Sequence, residues 1–254
     1  MSPTDGPTKK HILSFGGGVN TVALMIVLVK EGYPLDEVVF ADTGGEAPET
    51  YEYLKTVEAY LEEHKIPFKV VSKRISTRDL FGTCWHRDVI PSVMWRWCTR
   101  DFKVKPIHAY YKSLNVDVNQ YMGIAFDEID RMKDSREAFV TNLYPLIDLR
   151  MTRADCVEVI ERADLPMPVK SGCYFCPFNS MGRWRWLREK HPDLFEKAVS
   201  LEENSKHFPS QRLTDQVYRE RAVITLRELG VLLEAGDSLP LKDIESPCGG
   251  ECMT

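Results

Sequence analysis

The chain has 254 residues, 43% of them hydrophobic, and a formal net charge of -5 at pH 7. At this length a single core can bury roughly three quarters of the unfolded surface, so no covalent staples are needed. No apolar stretch is long enough to span a bilayer, and the polar run Met1 to Lys10 lacks the apolar segment of a secretory signal, so a cytoplasmic protein with no membrane partner is expected. Seven cysteines in a reducing compartment point to metal, cluster or redox chemistry rather than a disulfide framework. The mildly acidic balance argues against polyanion binding by bulk charge and leaves a local basic face open.

The first strand is expected at His11–Phe15, and a helix from about Thr21 to Lys30. Between them lies Gly16-Gly17-Gly18-Val19-Asn20-Thr21, where three glycines strip the turn of every Cβ and let a ligand approach bare backbone. The unpaired amides of the helix's first turn, with the positive end of its dipole behind them, suit an anion such as phosphate. A strand–helix turn holding no ligand is the alternative. No Gly-Lys-Ser/Thr ending follows, which excludes the Walker-type loop. The dinucleotide spacing G-x-G-x-x-G fails at Thr21.

A second strand, Glu37 to Ala41, ends in Asp42-Thr43-Gly44. A carboxylate there can hold Mg²⁺ on phosphates or a ribose edge, or cap the next helix. That helix runs from Glu49 to His64, with Tyr53, Val57, Tyr60 and Leu61 at amphipathic spacing. Strands are expected again at Phe68 to Val71 and Gln120 to Ile124. The alternation predicts an α/β fold: a doubly wound, mostly parallel sheet with ligands at the carboxyl ends of its strands. From about Tyr144, with Pro145, Pro166, Pro168 and Pro177, helices and loops take over. The expected division is a nucleotide-binding core over 1–143 and a helical, cysteine-bearing extension over 144–254, packed on the same domain.

Cys173 and Cys176 form a C-x-x-C knuckle, compatible with redox, zinc or cluster roles. Cys84 can supply a further ligand and close the site. Cys156 falls on one face of a helix with Val159, Ile160 and Ala163, behind an N-cap at Thr152, and reads as core. Cys248 and Cys252 stand in a glycine-rich tail, either as thiols that reach a site or as incidental ones. Trp95-Arg96-Trp97 with Arg100, and Arg183 to Arg188, interleave bases with aromatics. Such patterns stack nucleobases, or place Trp184 and Leu187 in a core stripe. Asp127, Glu128 and Arg131 can orient ribose, metal or phosphate, or form a solvated turn.

Gly16 to Thr21 resembles the PP-loop, S-G-G-x-D-S, of the ATP pyrophosphatases, with Gly16 for the first Ser, Asn20 for Asp and Thr21 for the last Ser. Ala41 to Thr50 resembles the D-T-G-x-E-x-P-E-T stretch of the phosphoadenosine-phosphosulfate (PAPS) reductase-like branch. Gly123 to Arg131 resembles its G-x-R-x-D-E-x-x-R element, with Ala125 for the first Arg, and Arg96 to Pro106 its R-x-C-x-x-x-x-K-x-x-P segment. The resemblance implies an adenine nucleotide alpha hydrolase-like fold and an ATP pyrophosphatase. ATP and Mg²⁺ would be held by Ser14, Phe15, Gly16, Gly17, Gly18, Asn20, Thr21, Asp42, Thr43, Gly123, Asp127 and Glu128. Asp42, Arg100, Lys103 and Arg131 would serve catalysis, with Cys252 as the counterpart of the nucleophile in the family's E-C-G-L-H tail, of which only Glu251-Cys252 is matched. A 4Fe-4S cluster on Cys98, Cys173 and Cys176 is implied, with Cys84 as a fourth ligand or zinc as the alternative. The implied reaction is adenylation, ATP to AMP and pyrophosphate, for sulfur transfer from a cysteine desulfurase. The acceptor would be nucleic acid, DNA rather than tRNA, as in DNA phosphorothioation of the Dnd/Ssp type. A thiol-dependent PAPS or adenylylsulfate reductase and a non-catalytic ATP-binding subunit are the alternatives.

Overall fold

The structure is a computed structural model and describes residues 9–93, 95–206, 212–214 and 224–234. Strand β1 (Lys10–Phe15) leads into helix α1 (Val19–Lys30), β2 (Glu37–Asp42), α2 (Pro48–Glu63) and β3 (Phe68–Ser72). Helices α3 (Leu80–His86) and α4 (Trp97–Thr99) follow, and a π-helical turn (Arg100–Val104) joins α4 to α5 (Lys105–Ser113). Strand β4 (Val118–Met122) connects to β5 (Val140–Leu143) through a 3-10 turn (Phe126–Arg131). Beyond the sheet come α6 (Pro145–Asp148), α7 (Arg153–Arg162), α8 (Met181–Lys190), α9 (Pro192–Asn204) and α10 (Leu226–Glu234).

The five strands pair in the order β3-β2-β1-β4-β5, and every pairing is parallel. The chain therefore starts in the middle of its sheet, and the strand order reverses beside β1, where open α/β sheets bind ligands. Side chains alternate across the sheet. Leu13, Phe15, Val38, Phe40 and Tyr121 face a core shared with α1, α2 and α7. Ile12, Val39, Ala41, Val71 and Val118 face Ile107 and Tyr111 of α5 on the other side. Helix α1 is buried continuously from Val19 to Leu28, as befits a helix apolar on all sides and enclosed between sheet and α7. A separate apolar cluster joins residues of α3, α4 and the π-helical turn to Tyr174, Phe175 and helices α8–α10.

The expected strands are present with shifted ends. The fourth covers Val118–Met122 rather than Gln120 to Ile124, because the chain turns at Gly123 and the Ile124 amide bonds back to the Met122 carbonyl. Strand β5 carries no period-two signal in its four residues and is found only by its pairing with β4. Helix α1 begins two residues earlier than expected, at Val19, with extended Gly18 as its N-cap. Among the described residues no helix is long and apolar enough to cross a membrane.

Candidate functional site

The glycine loop occupies the carboxyl end of β1. Gly17 has φ +75°, a conformation that L side chains rarely adopt. Gly18 caps α1 with no side-chain hydrogen bond to its amides. Across from the loop, a Cβ on Gly123 would stand 2.4 Å from Thr21 Cγ2 and 2.9 Å from its Cα, so only glycine lets β4 approach the start of α1 this closely.

The loop's polar side chains are held from behind. Asn20, 1% exposed, donates through Nδ2 to Glu128 Oε2 at 2.9 Å and accepts at Oδ1 from Arg153 at 3.3 Å. Glu128 in turn pairs with Arg131 at 2.5 Å, and Asp127 accepts from the Arg153 amide at 3.2 Å. Burial raises the Glu128 pKa, against the pull of Arg131. Thr21 donates to the Gly18 carbonyl at 2.9 Å. Asn20, Asp127, Glu128 and Arg131 thus form one network behind the loop.

At the end of β2, Asp42 Oδ1 accepts from the Gly44 amide and the Tyr51 hydroxyl, both at 2.8 Å. Burial, then Asp42 itself, push the Tyr51 phenol upward and keep it a donor. Gly44 has φ +74° and carries the chain into a turn whose backbone meets the C-x-x-C segment. Glu46 and Cys173 form an antiparallel bridge, and the Tyr174 amide donates to the Gly45 carbonyl at 2.8 Å. Thr43 Oγ1 lies 3.2 Å from Cys173 Sγ. Glu46 accepts from the Gly172 amide at 2.9 Å and pairs with Lys103 at 3.3 Å, both partners buried. Lys103 is therefore engaged by Glu46. Arg100 is exposed and pairs with Asp101 at 2.9 Å, which also holds Lys105 at 2.8 Å. The hydrogen bond from Arg100 is the main cause that brings Asp101 down to about 2.

Cys84 and Cys173 are buried in the apolar cluster between α3 and α8, and Cys98 and Cys176 pack at its margin. Burial pushes the Cys84 thiol well up, and neighbouring Cys98 adds to the rise. As a donor set, thiols in an apolar shell suit a thiophilic metal or an iron–sulfur cluster. Among the described residues, however, no three His, Cys, Asp or Glu side chains converge as a metal-holding group. Cys156 is fully buried on α7, its thiol pushed up to about 12 by burial, as a core residue should be. Cys248 and Cys252 lie outside the described residues. Trp184 and Leu187 are core, whereas Trp95 is 54% exposed. Arg183 is buried with its guanidinium 3.8 Å from the Trp186 ring centre. Sequence reasoning singled out neither Arg153 nor Tyr51. Arg153 meets Asn20 from 133 residues away, a separation no local pattern reveals.

A five-stranded parallel sheet, with a glycine turn at its central strand and a carboxylate at the neighbouring strand end, defines an open, doubly wound α/β class. Residues 10–169 match the phosphoadenosine phosphosulfate reductase domain, and the chain belongs to that family. Two uncharacterized proteins of Methanocaldococcus jannaschii, MJ0066 and MJ0973, are each 24% identical to it over 74% of the chain. Those alignments cover 40% and 46% of the relatives, so the chain spans less than half the length of the curated relatives it matches. Among solved structures, the chain is similar to the U34-tRNA thiolase NcsA from Methanococcus maripaludis, determined with its 4Fe-4S cluster. The TM-score is 0.49 and the identity 12%, over 91% of this chain and 86% of the thiolase.

Proposed function

We propose that the protein is an ATP pyrophosphatase that adenylates an acceptor for sulfur transfer. The observation that carries this reading is the 3.2 Å contact between Cys173 Sγ and Thr43 Oγ1, which brings a thiol to the residue after Asp42. In this reading the amides of residues 16–21 hold the phosphates of ATP, and Asp42 holds Mg²⁺, which neutralises their charge. The acceptor oxygen attacks the α-phosphorus, pyrophosphate leaves, and incoming sulfur displaces AMP. Such a transfer rests on positioning and charge neutralisation, to which Arg100 and Arg131 contribute. Cys98, Cys173 and Cys176, with Cys84 beside them, would hold a 4Fe-4S cluster, which would supply bound sulfide next to the adenylate. A cysteine desulfurase as source of persulfide sulfur, a thiol reductant that supplies the two electrons bringing it to sulfide, and DNA as acceptor, in phosphorothioation, complete the proposal.

Incubation of the anaerobic protein with Mg·ATP and acceptor, with separation of products, tests it. AMP and pyrophosphate are expected; ADP and phosphate would overturn the reading. Sulfite released from PAPS would establish the reductase instead. A nucleotide-binding subunit without turnover is favoured by one observation, the full engagement of Asn20 by Glu128 and Arg153. ATP binding with no cleavage would decide for it.

A further inference from the structure

The sheet is covered unequally. Helices α1, α2 and α7 pack on one face, whereas on the other α5 lies closest to β2 and β3. The connection from β4 to β5 holds a 3-10 turn and a loop instead of a long helix, so the outer half of this face stays open. A cavity of about 570 Å³ fills the gap. Ser14, Gln120 and Asn142 form its polar floor, α5 one wall and the loop from Lys133 to Phe139 the other. That loop is fixed in place: the Tyr144 hydroxyl accepts from the Lys133 amide at 3.0 Å, and Asn142 donates to the Lys133 carbonyl at 2.9 Å.

Charge in this cavity runs against the net -5 of the chain. Arg96, Arg100, Lys105, Lys112, Lys133 and Arg136 line it, against Asp134 and Glu137. Adding Asp101, which pairs with Arg100 and Lys105, still leaves six cations to three carboxylates. Burial pushes the pKa of His108 down, so its ring adds no charge at neutral pH. Apolar surface from Ile107, Met122 and Phe139 accompanies the cations. A concave site of this volume with cations and apolar ring-sized surface suits a flat, phosphorylated ligand. Its floor residue Ser14 stands two positions before Gly16, so the cavity reaches the strand end that carries the glycine loop.

We propose that this cavity is a second site, taking a phosphorylated nucleoside, and that its source is one unit of a nucleic-acid strand presented as acceptor. The proposal rests on the sulfur-transfer reading for the reaction alone; binding is measured without ATP. Anisotropy of a fluorescein-labelled single-stranded DNA oligonucleotide on the full chain provides the test. Charge reversal at two exposed wall residues, Lys133→Glu with Arg136→Glu, is expected to weaken binding at least about tenfold and to lower the salt slope by about 2. Ala109→Trp, which fills the cavity from exposed α5 without altering charge, is expected to weaken it as well. Both variants should keep ATP affinity, whereas Gly17→Val should lose ATP and keep the oligonucleotide. Unchanged oligonucleotide affinity in the charge-reversed variant would overturn the proposal, and so would unchanged affinity in Ala109→Trp, which would reduce the site to a basic patch. Competition by deoxycytidine monophosphate separates the sources: displacement at concentrations comparable to the oligonucleotide would identify a free nucleotide and overturn the strand assignment. Failure to cleave ATP would strike the adenylation reading and leave this binding result standing.

Discussion

Asn20 stands where the PP-loop pattern has aspartate, and its two neighbours account for the change. Glu128 takes a donor from position 20, and Arg153 an acceptor; the amide offers both, whereas an ionised aspartate offers only acceptors. Asn20→Asp would turn the donor into a carboxylate facing the Glu128 carboxylate, and we expect a loss of about 1–3 kcal/mol in urea unfolding. Glu128 itself gives a pH signature. Its folded pKa is raised, so the folded protein binds this proton more tightly than the unfolded chain. Its contribution is therefore present at low pH and lost as pH rises from the ordinary glutamate value through the raised one. Urea midpoints taken across that acid range should show this component, and Glu128→Gln should flatten it. Lys103 makes a second case. Lys103→Met leaves the Glu46 carboxylate, 1% exposed, without its cation, and should cost about 3–5 kcal/mol. Adding Glu46→Leu should recover part of that loss. The lysine was legible as a motif residue, but its engagement was not, since Glu46 lies 57 residues away. Gly17 was legible outright, because a positive φ at a strand–helix turn selects glycine locally. Gly17→Val should abolish ATP binding in a chain that still melts cooperatively, as isothermal titration and thermal unfolding would show.

Helix α7 illustrates how much an element's own residues reveal. Thr152 caps it in a reciprocal box with Asp155, and Cys156 and Ile160 turn inward against the core of α1, as spacing alone predicts. Thr152→Ala should cost about 1 kcal/mol, measured as a shift in urea midpoint with unchanged slope. Strand β5 is the contrary case. Val140, Thr141, Asn142 and Leu143 make too short a run to show alternation, and the strand exists because β4 offers an unpaired edge. The β4 end was misplaced by two residues for a related reason. Gly123 and Ile124 continue the apolar run, but the turn there follows from close approach to Thr21, a contact between elements.

At the level of the molecule, two apolar clusters serve two tasks. The cluster around α1 holds the glycine loop, and the one joining α3 to α8–α10 gathers four cysteines from three separate stretches of chain. The C-x-x-C pair was plain in the sequence. That Cys84 and Cys98 pack with it is a result of tertiary folding, and so is the basic cavity, whose cations come from the stretch Arg96 to Lys112 and a loop some 20 residues later. If the thiols hold an iron–sulfur cluster, anaerobic protein should be brown, and Cys98→Ser, Cys173→Ser and Cys176→Ser should each bleach it. A colourless preparation with stoichiometric zinc would assign the metal instead.

The antiparallel bridge between Glu46 and Cys173 has one further implication. If a cluster and a polyphosphate occupy the two ends as proposed, anything that repositions the sulfur atoms bears through this bridge on the turn that orients Asp42, and the polyphosphate bears in turn on the thiols. Thermodynamic reciprocity then requires that occupancy at either end alter the grip at the other by one and the same factor.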